Sequence, residues 1–80
     1  MNKHSLLFNL HEAQEQIDSI VKHLQYDDAY DEGNLAVDMQ HLYHHINFAW
    51  NTRNESEQAT DECSDENFQK WRQFPTNIHL

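Results

Sequence analysis

The chain is short of most things that would give a small protein an obvious chemistry. It has one cysteine, Cys63, among 80 residues, so no disulfide can staple it internally. The neighbours of that thiol, Asp61, Glu62, Asp65 and Glu66, disfavour a thiolate rather than activate one. A single glycine, Gly33, excludes glycine-rich phosphate loops. No apolar run approaches the roughly 20 residues that span a bilayer. The first residues hold one lysine and no small-residue cleavage site, so no secretory leader is expected. A free thiol without a disulfide framework then points to the cytoplasm.

Basic residues are scarce as well. Five Lys and Arg stand against fourteen Asp and Glu, a formal charge of −9. Direct nucleic-acid binding depends on bases that neutralise phosphates, and anionic membrane attracts the same groups, so neither partner is expected. The excess falls in two base-free blocks, Asp27 to Asp38 and Glu55 to Glu66. Both fit solvated loops and a possible basic protein partner, including the reading of the chain as an acidic mimic of nucleic acid.

What is present is a repeated rhythm. Leu6, Leu10, Ala13, Ile17, Ile20 and Leu24 follow a 4-3-4-3-4 spacing, and so do Leu35, Met39, Leu42, Ile46, Ala49 and Arg53. Such spacing holds side chains on one helical seam that a second helix can cover. An all-α fold is expected, with helix 1 over about 5–26 and helix 2 over about 34–54 forming an antiparallel hairpin. Ser5 and Asn9 compete as the first cap. Asn34 suits the second, with Asp28 or Asp31 as earlier starts. Residues 55–64 lose all apolar periodicity and read as an acidic linker. Asp61 or Ser64 then caps a short helix over about 65–73, which Pro75 ends. The whole is a single small domain, residues 1–80.

The aromatics suggest how that last helix is used. Tyr43 and Trp50 widen the helix 2 seam on one side and offer a dock for Phe68, Trp71 and Phe74. The opposite face carries Val37, His41, His44 and Phe48 at 4-3-4 spacing, and a bare hairpin would leave it in water. A chain this small has little core of its own. That face is therefore the expected interaction surface, with two hairpins pairing as a homodimeric four-helix bundle.

Seven histidines invite two further readings. Asp38, His41 and His45 lie on one side of helix 2, and His at i and i+4 is a spacing that metal-binding helices use. A divalent transition metal is the one cofactor this pattern would admit. The glutamate that would complete a metalloprotease motif is missing. With reference pKa values of about 6.5, the imidazoles would also cancel most of the negative charge between pH 7 and 5, favouring self-association. No nucleophile–base spacing is present, and a short hairpin has no deep pocket of its own, so catalysis is not expected. The sequence reads as a non-enzymatic, self-associating interaction module, with metal binding as the rival.

Overall fold

A computed structural model describes residues 1–78; His79 lies outside the described residues. Four helices follow in order, α1 (Lys3–Tyr26), α2 (Glu32–Asn51), α3 (Glu57–Glu62) and α4 (Asp65–Trp71), with no strand among the described residues. The two long helices pack together as the expected hairpin.

Each helix begins where a side chain can take up an orphan backbone N–H. Asn2 accepts from the Ser5 amide at 3.0 Å, so α1 starts earlier than expected and both Ser5 and Asn9 lie inside it. Asn2 prevails because its own amide group also donates to the Glu55 carbonyl at 3.0 Å, tying the cap to the rest of the fold. Asp31 caps α2 through the Asn34 amide at 2.9 Å, which puts Gly33 in the first helical turn instead of the loop. The turn between the helices is held by Asp27, which accepts from the amides of Ala29 and Tyr30, each at 3.0 Å.

The second half of the chain is more ordered than its composition suggested. Within the expected linker, Ser56 caps α3 through the Ala59 amide at 3.1 Å. This helix ends at Cys63, whose φ of 36° and ψ of 72° place it in the left-handed region. That conformation reverses the chain, and Ser64 at once caps α4 through the Asn67 amide at 3.2 Å. Helix α4 stops at Trp71, two residues short of expectation.

The hairpin interface differs from the seam in one informative way. Ala13, Ile20, Leu42 and Ala49 are buried as the rhythm requires, and Leu35 packs against them. Of the alternate positions, Met39 still packs against this core and Leu6 is half-buried, but Leu10, Ile17 and Ile46 are exposed. In place of Leu10 and Ile17, α1 turns inward Ser5, Asn9 and Gln16; in place of Ile46 and Arg53, α2 turns inward His45 and Thr52. Both helices are thus rolled by roughly 50°, half the angle between successive residues. The roll leaves the apolar positions at the edge of the contact.

Candidate functional site

The roll divides the hairpin into two flanks, and different residues occupy each. On one flank the α3–α4 arm folds back. Phe68 and Trp71 meet Phe48, with ring centroids 5.7 and 6.1 Å away, and His44 lies 4.9 Å from Phe68. The arm is fixed by hydrogen bonds from α2. Asn47 donates to the Arg72 carbonyl at 2.9 Å, and Asn51 donates to the carbonyls of Trp71 and Gln73 at 2.8 and 2.9 Å. Three successive carbonyls at the end of α4 lack partners in their own helix, and two asparagines one turn apart supply them.

This arrangement relocates the aromatic dock. Phe68 and Trp71 sit on the Phe48 side, against the face expected to be free, and not on Tyr43 and Trp50. Tyr43 is exposed, as is Phe74. Trp50 instead lies under the Arg53 guanidinium, 3.8 Å from the ring centroid, and donates to the Asn77 side chain at 3.1 Å. On the Phe48 side the arm meets Asn47 and Asn51, which donate to the carbonyls at the end of α4. Of the expected interaction face, His44 and Phe48 are therefore partly covered from within the chain, while Val37 and His41 remain exposed.

Two of the residues considered for metal binding are turned to other partners. Asp38 accepts from the Tyr30 hydroxyl at 2.7 Å, and His45 Nδ1 lies 3.4 Å from the Asn9 side-chain oxygen Oδ1, to which it can only donate. His41 is exposed. Among the described residues, no group of three or more His, Cys, Asp or Glu is placed to share an ion. Desolvation and the Asp38 carboxylate raise the Tyr30 phenol to about 12. Partial burial, then the charges of His45, Arg72 and His41, lower the pKa of His44 and favour its neutral form.

A polar network closes the open end of the hairpin. Thr52 is fully buried and donates to the Phe48 carbonyl at 2.6 Å. Its single hydroxyl hydrogen is then used, so Ser5, 2.8 Å away, must donate to Thr52. Asn9 adds a bond to the Ser5 carbonyl at 2.9 Å. Among the described residues, no buried side-chain nitrogen or oxygen is left unpartnered. Beside this network, between the start of α1, α2 and the arm, lies a cleft of about 410 Å³. Trp71 forms its floor, Phe8, Phe48 and Phe68 its walls, and His4, His44, Asp61 and Cys63 contribute to its lining.

The other flank is bare. Leu10, Ile17, Val21 and Leu24 from α1 and Tyr43 and Ile46 from α2 are each between 44 and 61 % exposed. In an antiparallel pair, helices rolled in the same sense bring their displaced positions to the same side. These residues therefore form one apolar strip along the hairpin. The chain matches no known family model, no curated protein and no solved structure.

Sequence reasoning assigned Leu10, Ile17, Leu24 and Ile46 to the hairpin's own core and Tyr43 to the aromatic dock, and did not single out Val21. It gave no anchoring role to Asn47, Asn51, Thr52 or Asn2. A signal was available: Asn and Thr are poor helix formers, and Asn47, Asn51 and Thr52 cluster at the end of α2.

Proposed function

We propose that the chain is a non-enzymatic, self-associating interaction module in which two hairpins close a four-helix bundle over their bare flanks. The observation that carries this reading is the roll of both helices. A helix in a four-helix bundle touches two neighbours and needs an apolar stripe wider than one seam. Here the hairpin partner covers one edge of each stripe, and the other edge is left for a second copy. Pairing about a two-fold axis lays the α1 row of one copy, Leu10, Ile17, Val21 and Leu24, against Tyr43 and Ile46 of the other.

The areas agree with this pairing. The strip exposes on the order of 600 Å² per chain, at the low end of the half-interface of a specific complex. Alone, the chain buries only Ala13, Ile20, Leu42, Ala49 and Trp71 among its described apolar residues, a small core for an 80-residue chain without disulfides. The flank also lacks the directional partners that hold the arm, so apolar burial is the means left to cover it.

Sedimentation equilibrium tests the proposal at pH 7 and pH 5. A species of twice the chain mass is expected, more populated at pH 5, where protonated histidines offset the acidic charge. Ile46→Asp should give a monomer, because two charges would be buried per dimer. Val37→Asp, on exposed surface away from the strip, should leave the dimer intact. A wild-type monomer at about 100 µM, which corresponds to association weaker than about −5.5 kcal/mol, would refute the reading. So would a dimer that Val37→Asp breaks and Ile46→Asp does not.

A further inference from the structure

The cleft under the arm opens on the flank opposite the bare strip, so it stays accessible whether or not two hairpins pair. Its size, about 410 Å³, is within the usual range for small-molecule sites. Its walls are unusual for so polar a chain. Phe48 and Phe68 are half-buried and Trp71 lies beneath them, 2 % exposed, while Phe8 leaves 58 % of its surface in water at the mouth. A ligand seated there would cover a ring that the fold itself does not.

Charge then narrows the class of ligand. No Lys or Arg lines the cleft, and its one carboxylate is Asp61. Asp61 is exposed, and no side-chain hydrogen bond or ion pair engages its carboxylate among the described contacts. The Arg72 guanidinium lies 5.7 Å from the Phe68 ring centroid and lines a separate depression with Gln40 and His41. His44, at the inner wall, is held toward its neutral form. Aromatic faces attract cations, one carboxylate supplies the matching charge, and the chain's formal −9 disfavours anions.

We propose that this cleft binds a small organic cation, an ammonium group carrying an aromatic or alkyl body, with the body between Phe8, Phe48 and Phe68 and the charge toward Asp61.

The test compares phenethylammonium with its neutral counterpart, phenethyl alcohol, using the full chain and following its amide and indole resonances. The ammonium should bind about tenfold more tightly than the alcohol, a difference typical of one cation–aromatic and carboxylate contact. Its shifts should centre on Phe68, Trp71 and Asp61. Asp61→Asn should remove most of the preference while leaving alcohol binding unchanged, and Phe8→Ala should weaken both probes several-fold. Because both side chains are largely exposed, neither substitution should threaten folding, and retained indole dispersion would confirm it. The proposal is overturned if neither probe binds at about 10 mM, if both bind equally, or if the shifts map to Leu10, Ile17 and Ile46.

Discussion

The two asparagines that hold the arm make the sharpest claim about stability. Asn51→Ala removes two hydrogen bonds, to the carbonyls of Trp71 and Gln73, and Asn47→Ala removes one, to Arg72. A neutral hydrogen bond contributes about 0.5–1.5 kcal/mol net, so the expected losses are about 1–3 and about 1 kcal/mol. Alanine is the better helix former by about half a kcal/mol, which offsets part of each loss within α2. At about 4–8 °C per kcal/mol for a domain of this size, Asn51→Ala should lower Tm by roughly 5–15 °C. The double variant should lose less than the sum, because both side chains hold one segment and the second has little left to hold once the arm is free. Asn51→Asp separates this account from helix propensity. It keeps the shape but sets a carboxylate against two carbonyl oxygens, so it should cost more than Asn51→Ala. The readout is the Trp71 indole resonance, since Trp71 is 2 % exposed when the arm is docked and would shift toward a solvated position on release. If Asn51→Asp leaves that resonance and Tm as in the wild type, the asparagines do not anchor the arm.

Two further outcomes follow from the hydrogen bonds elsewhere. Thr52→Val keeps the volume of a fully buried side chain but strands the Ser5 hydroxyl, and should cost about 1–2 kcal/mol in urea denaturation; adding Ser5→Ala should cost less than Ser5→Ala alone, and simple additivity would disprove their pairing. Tyr30 should ionise near pH 12 instead of 10, visible as a late step in ultraviolet absorbance that Asp38→Asn moves back toward 10. Because the folded-state pKa is raised, the contribution of Tyr30 to stability is complete below pH 10 and is lost as pH rises toward 12.

The sequence revealed the hairpin because its signal is periodic and local. The shared positions Ala13, Ile20, Leu35, Leu42 and Ala49 fall where a helix turning every 3.6 residues must place them. It did not reveal the roll, because an apolar stripe about 100° wide is compatible with a partner on either edge. What selects the edge is polar and long-range: Ser5 meets Thr52, Asn9 meets His45, and Asn2 meets Glu55. None of these pairs has a spacing to detect. The arm was misplaced for a related reason. Phe68 and Trp71 were assigned by aromatic affinity alone, and Tyr43 with Trp50 was as good a match as Phe48. The carbonyls left over at the end of α4 decided between them, and backbone acceptors are invisible in a list of side chains.

The two flanks differ in the kind of force each can use, and this bears on what covers the bare one. The arm is held by donors aimed at particular carbonyls, so it fits one segment in one register. The strip of Leu10, Ile17, Val21, Leu24, Tyr43 and Ile46 offers one donor, the Tyr43 hydroxyl, and its burial rewards any surface of matching shape. At and beyond the end of α4, Asn51 holds Trp71 and Gln73, and Trp50 holds Asn77. On the proposed reading, cover comes from a helical surface of matching apolar shape. A second copy of the hairpin is one such surface, and it sets the α1 row of Leu10, Ile17, Val21 and Leu24 against Tyr43 and Ile46.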